Sequence, residues 1–206
     1  MHGSVYSLNC GNPVECCQRE QMPERCRSVA LICGRLYHSP MTRDANQDAG
    51  VVLVLGVGNA MKGDDGAGPH VAALLSARPV AADSSHTSMV QSIDCGTTPE
   101  NHTAVVRRFH PDILVIVDAA EMGLQAGECR IIPPDRAGAL GLSTHSMPLS
   151  LFVSYVRDLA SRIVLVGVQP RSMAFGEGLS PEVRAACESL ADVLAQGRAG
   201  ELLVLD

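Results

Sequence analysis

Hydrophobic and polar positions in this chain form short uncharged runs separated by stretches with helical spacing, and that alternation sets the expected architecture. Residues 51–55 (VVLVL) are apolar and largely β-branched, the pattern of a strand buried on both faces of a parallel sheet. Gly56 and Gly58 then turn the chain, and residues 67–76 (AGPHVAALLS) repeat apolar side chains at helical spacing. Residues 89–96 (MVQSIDCG) read as a second strand ending near Asp94, and residues 99–108 as a short helix. The clearest strand is 113–117 (ILVIV), with Asp118 at its carboxyl end.

Further along, residues 128–132 (ECRII) suggest another strand, and 133–144 (PPDRAGALGLST) an aperiodic loop that delivers His145 to the start of a helix. Pro148 suits that helix's first turn, and Leu149, Phe152, Val153 and Val156 give it an apolar face. Residues 163–168 (IVLVGV) read as a buried strand. Ser180 is expected to cap a last amphipathic helix over 181–194, and 201–205 form a small edge strand or a frayed tail. Strands alternating with helices predict a three-layer α/β/α fold with a mostly parallel, roughly five-stranded sheet.

Residues 1–49 break the pattern. They are polar and cysteine-dense, with one brief apolar stretch at 29–33, and are expected to lie outside the compact domain, placed at 50–206. Met41, followed by TRDANQDAG, would be a natural start for that domain, so 1–40 is expected to be a disordered extension or an over-called start.

With 206 residues the chain has material for one domain of ordinary size. A net charge of −6 and no basic run beyond Arg107 and Arg108 argue against nucleic acid and anionic membranes as partners. No apolar segment reaches the roughly 18–20 residues of a membrane span, and no signal-like apolar run opens the chain, so a cytoplasmic protein is expected. Its eight cysteines, five of them within the first 33 residues, are then reduced thiols, and they lack the C-x-x-C pairs of a structural zinc site.

The strand, glycine turn and helix over 51–76 invite a nucleotide reading, but the spelling refuses it. A dinucleotide fingerprint needs a third glycine where Met61 stands, and a P-loop needs Lys and Ser or Thr where Asp64 and Asp65 stand. No nucleotide cofactor is expected. In a parallel sheet the carboxyl ends of neighbouring strands converge, so Asp64 or Asp65 after the first strand and Asp118 after the central one would face each other across a crevice, with His145 reaching it from its loop. Carboxylate oxygens and an imidazole suit zinc or nickel and leave coordination positions open. The plainer alternative is an Asp pair that starts a helix and a histidine that caps one.

Several motifs together resemble a known family. LGVGNAMKGDDGAGP, DCGTTPEN, ILVIVDAAEMG, GECRIIPPD, THSMPL and VGVQP occur in the order and spacing of the [NiFe]-hydrogenase maturation endopeptidases, particularly the subtype serving formate-hydrogenlyase hydrogenase, over residues 51–194. The resemblance implies a cytoplasmic endopeptidase that removes a C-terminal extension from a [NiFe]-hydrogenase large-subunit precursor after nickel insertion. It implies Asp65, Asp118 and His145 as metal contacts; Asp65 and Asp118 are the catalytic candidates, with either one as general base on a water or the metal itself polarising the water or carbonyl. The nickel it implies is borne by the substrate rather than stored. A non-catalytic nickel-binding chaperone and a metal-independent peptidase are the alternatives. The long N-terminal segment is the main departure from the family.

Overall fold

The computed structural model describes residues 50–78, 89–133, 136–138 and 147–206. The N-terminal segment 1–49, most of the 133–144 loop and His145 lie outside the described residues.

Among the described residues five strands form one sheet: β1 (Val51–Val57), β2 (Met89–Gly96), β3 (Ile113–Ala119), β4 (Cys129–Ile131) and β5 (Arg162–Val168), in the order β2-β1-β3-β5-β4. All neighbours are parallel except β4, which runs antiparallel to β5. Among the described residues four helices cover the sheet: α1 (Ala67–Ser76), α2 (Thr103–Phe109), α3 (Leu149–Val156) and α4 (Pro181–Ala195). The expected α/β/α architecture with a mostly parallel, five-stranded sheet is therefore the observed one.

Strand position explains strand composition. Interior β1 and β3 are buried along nearly their whole length and contain no polar residue before Asp118. β2, at the edge, is more exposed and carries Gln91 and Ser92. Successive side chains point to opposite faces. Val52, Val54, Val115, Val117, Val164, Val166 and Val168 therefore face α1 and α4, while Leu53, Leu55, Leu114, Ile116 and Leu165 face α2 and α3. Small β-branched side chains on the first face let α1 approach closely; the longer ones on the second meet Phe152, Leu149 and Val106.

Local details refine the sequence reading. The 99–108 helix is a 3-10 turn (Pro99–His102) that continues into α2, and Pro148 is the residue before α3 rather than part of its first turn. The C-terminal tail adds a single bridge, Val204 to Ile131, after a 3-10 turn at Ala199–Glu201. No helix among the described residues is long and apolar enough to cross a membrane.

Topology locates the crevice. The chain leaves β1 for β2 on one side, then returns past β1 to place β3 on the other. Connections diverge to opposite faces between β1 and β3, so a gap opens beyond their carboxyl ends.

Candidate active site

The first element of the site is the turn after β1. Gly58 has φ +134°, and a Cβ there would lie 1.9 Å from the carbonyl oxygen of Asp65, so only glycine lets the chain fold back this tightly. The fold-back ends in a 3-10 turn, Gly63–Gly66, closed by the Asp65 N–H donating to the Lys62 carbonyl at 3.0 Å. In α1, a Cβ on Gly68 would lie 2.2 Å from the Val57 oxygen and 2.4 Å from the Val117 oxygen. The first turn of α1 thus rests directly on the backbones of β1 and β3. That contact carries Asp65, just before α1, to the end of β3 where Asp118 stands.

Asp118 is 5% exposed, and its Oδ1 accepts a hydrogen bond from the Ala119 N–H at 2.9 Å. Burial, and after it the charge of Asp65, push its pKa up to about 8 against the opposing pull of the Ala119 N–H. Burial and the neighbouring carboxylate thus both favour the protonated form of Asp118. Asp65 is partly buried, and its Oδ2 accepts from the Asn59 N–H at 3.0 Å.

Asp64 does something else. It is 1% exposed, and its Oδ2 accepts from the N–H groups of Arg171 (2.8 Å) and Ser172 (3.0 Å) and from the Ser180 hydroxyl (2.9 Å). Its Oδ1 accepts from the Ser180 N–H at 2.6 Å. Burial pushes this carboxyl's pKa up, but the bonds from Ser180, Ser172 and Arg171 outweigh it and hold the group below the usual carboxylate range. Ser180 stands at the N-cap position of α4 as expected, but makes no side-chain cap bond; its hydroxyl goes to Asp64 instead.

Beyond Asp118 the chain is held by Gln169, a buried amide directly after β5. Its Oε1 accepts from the N–H groups of Met122 (2.7 Å) and Leu124 (3.2 Å), and its Nε2 donates to Glu121 (2.9 Å) and to the Pro170 carbonyl (3.2 Å). A groove of about 240 Å³ runs past Gly58 and Asn59, the residues that touch Asp65, and is walled by Ala60, Pro69, Asp94 and Thr97. Met61, Met173 and Phe175 stand exposed on the neighbouring loops.

Of the residues proposed from sequence, the fold brings Asp65 and Asp118 together, turns Asp64 into the loop after β5, and leaves His145 outside the described residues. Among those residues no three His, Cys, Asp or Glu side chains gather as a metal cluster; the Asp65 and Asp118 oxygens supply two hard donors of the kind a divalent cation takes. The sequence reading missed Asn59 and Gln169. An amide directly after an apolar strand, as in VGVQP, was the available signal. The described cysteines Cys95, Cys129 and Cys187 are free thiols. Burial pushes them up to about 12, 11 and 12, which makes them poor nucleophiles.

Fold and site together define an open α/β protein with a buried carboxyl beside a second acid at its switch point, an arrangement suited to acid–base or cation chemistry. Comparison with known proteins gives the particular family. The family model HycI, hydrogenase maturation protease, matches residues 70–196, a span that includes Asp118 and the position of His145, while Asp65 precedes it. The chain is similar to hydrogenase 3 maturation protease of Escherichia coli K12, 37% identical over 139 residues that make up 67% of this chain and 85% of that protein. It is also similar to the solution structure of the endopeptidase HycI from Escherichia coli, with TM-score 0.65, 33% identity, and 76% and 97% of the two chains covered. A third likeness is to the crystal structure of the [NiFe] hydrogenase maturation protease HycI from Thermococcus kodakarensis, with TM-score 0.62, 31% identity, and 75% and 94% covered. The chain belongs to the hydrogenase maturation protease family and is accordingly a hydrolase of the endopeptidase kind.

Proposed function

We propose that this chain removes the C-terminal extension of a [NiFe]-hydrogenase large-subunit precursor once nickel has been inserted, and that nickel in the substrate is what it recognises. The observation that carries the reading is the pairing of Asp118, buried at the end of β3 with one backbone N–H on its carboxyl, with Asp65 across the switch point. A buried acid of this kind is poised for exchange: a divalent cation brought by the substrate supplies the positive charge that lets Asp118 release its proton and bind through oxygen. A precursor without nickel offers no such compensation and leaves the carboxyl protonated. His145 adds a nitrogen donor in this reading. The site therefore selects the loaded precursor and sets its scissile bond beside the two acids.

For the chemistry, metal-assisted hydrolysis is favoured over a proton-sharing acid dyad, because two carboxylates engaged on a cation are not free to share a proton between them. In this reading the peptide lies in the groove past Asn59, Asp94 and Thr97, which reaches the site through Asn59, the residue whose N–H donates to Asp65. Cytoplasmic action on a newly made precursor fits the expected location.

The test incubates the purified protein with nickel-loaded and nickel-free precursor and weighs both. Loss of a defined C-terminal peptide from the loaded form alone is expected. Cleavage of both forms would remove nickel recognition and keep a peptidase, whereas binding without cleavage would give the role of a nickel-dependent chaperone.

A further inference from the structure

We infer that Asp64 is a positioning residue, whose buried carboxylate latches the loop between β5 and α4 onto the Gly63–Gly66 turn and thereby holds Asp65 facing Asp118. The inference deepens the peptidase reading above and rests on it for its activity readout.

The loop over residues 169–180 contains neither helix nor strand, and half of it, from Met173 to Gly178, is exposed. Ordering such a backbone costs about 1–2 kcal/mol per residue, so something must hold it. What holds it is the catalytic turn. The Gly63 N–H donates to the Glu177 carbonyl at 3.1 Å, the Asp64 N–H to the Ser172 carbonyl at 2.9 Å, and the Gly176 N–H to the Met61 carbonyl at 2.8 Å. At the centre of this two-way zip the Asp64 carboxylate collects bonds from the start of the loop, at Arg171 and Ser172, and from its end, at Ser180. One side chain therefore closes the loop and docks it.

The consequence for Asp65 follows from the geometry of the turn. In a 3-10 turn, with about three residues per revolution, neighbouring side chains diverge by roughly 120°. Asp64 directed into the loop therefore directs Asp65 away from it, towards the end of β3. The side-chain bond from the Asn59 N–H then sets the Asp65 carboxylate in place. An amide cannot substitute at position 64, because both oxygens accept and an –NH₂ group would be set against a donor.

The test uses the full chain with Asp64→Asn, Ser180→Ala and, as a control, Leu194→Ala, a fully buried change on α4. Cleavage kinetics, melting temperature and hydrogen exchange at the Asn59 amide are measured for each. Asp64→Asn is expected to lower kcat and kcat/KM together by at least about tenfold, with KM little changed, the signature of a misplaced catalytic group. Its Asn59 amide should exchange at least about tenfold faster, because the partner of that N–H has moved. Leu194→Ala should match or exceed the loss in melting temperature while keeping kcat within about twofold. Ser180→Ala should fall between wild type and Asp64→Asn, and carries the test if the latter does not fold. Asn59 exchange and kcat that change no more in Asp64→Asn, or in Ser180→Ala where that stands in, than in Leu194→Ala would overturn the inference. If the wild type cut no precursor, the peptidase reading would fall, while Asn59 exchange would still decide the latch.

Discussion

Asp64 and Asp118 are both almost completely buried at the same edge of one sheet, yet their surroundings push them in opposite directions. Asp64 sits among four donors supplied by the loop after β5, and its carboxyl stays below the usual range despite burial. Asp118 receives one backbone N–H and faces the charge of Asp65, and its pKa is raised to about 8. Burial is common to the two; the supply of donors differs. A buried carboxylate whose acceptor capacity is met belongs to the scaffold, and one whose capacity is unmet is left for a proton, a cation or a substrate.

The largest effect that would break this contrast is on activity. Asp118→Asn and Asp65→Asn are each expected to fold and to lose cleavage by at least about 10²-fold, because in the proposed reading each carboxylate engages the substrate's cation or moves a proton beside it. His145→Ala is expected to abolish processing as well. Precursor mass after incubation checks all three, and wild-type cleavage by Asp118→Asn would return that residue to the scaffold.

The next effect is on stability, where the two acids should respond with opposite sign. Asp64→Ala strands three backbone N–H groups and a hydroxyl, and unsatisfied buried donors cost about 1–3 kcal/mol each, so a loss upward of about 3 kcal/mol is expected in denaturant unfolding. Asp118→Asn instead removes a group that resists ionisation, and at pH 8 it should unfold at a higher denaturant concentration than the wild type. Destabilisation by both substitutions would mean that Asp118 is also held by the scaffold.

Much of this was legible in the sequence. The buried runs at 51–55, 113–117 and 163–168 identified the central strands because parallel strands covered on both faces need uninterrupted apolar side chains, and the edge strand β2 was harder to read for the complementary reason. Asp118 was legible because it ends an apolar strand. The division of labour within Asp64–Asp65 was not, since adjacent acids in a turn look alike until the rotation of the turn is known. Ser180 misled for a similar reason: a serine before a helix is the usual cap, and its diversion to Asp64 depends on a partner 116 residues away in the chain. Gln169 escaped because its four bonds are all tertiary or local to its own turn.

The contrast also gives the two acids opposite contributions to the pH dependence of the metal-free protein. For Asp118 the folded pKa lies near 8 and the unfolded one near 3.8, so between those values the folded chain keeps a proton that the unfolded chain has lost. Its contribution is fully present below about pH 4 and is lost as pH rises through 8, at no more than about 1.4 kcal/mol per pH unit. Asp64 has the reverse sign: its lowered pKa gives stability that is present above about 3.8 and lost as pH falls below that value. Unfolding free energy measured from pH 4 to 8 should therefore decline in the wild type, and the decline should be shallower in Asp118→Asn.

Ser180→Ala makes the smallest and most selective cut. It removes one donor from Asp64 and leaves the Ser180 N–H bond in place, so the loop remains closed and the loss is about 1.5–3 kcal/mol at most, the range for a hydrogen bond to a charged group. Because the hydroxyl makes no capping bond to α4, the usual cost of losing an N-cap side chain should be missing. The discriminating measurement is hydrogen exchange along the chain. Faster exchange at Arg171 and Ser172, whose N–H groups share the same Asp64 oxygen, with the first turn of α4 unchanged, is the pattern of a loosened latch. Faster exchange confined to the first turn of α4 would make Ser180 an ordinary helix cap and would leave Asp64 with three partners rather than four.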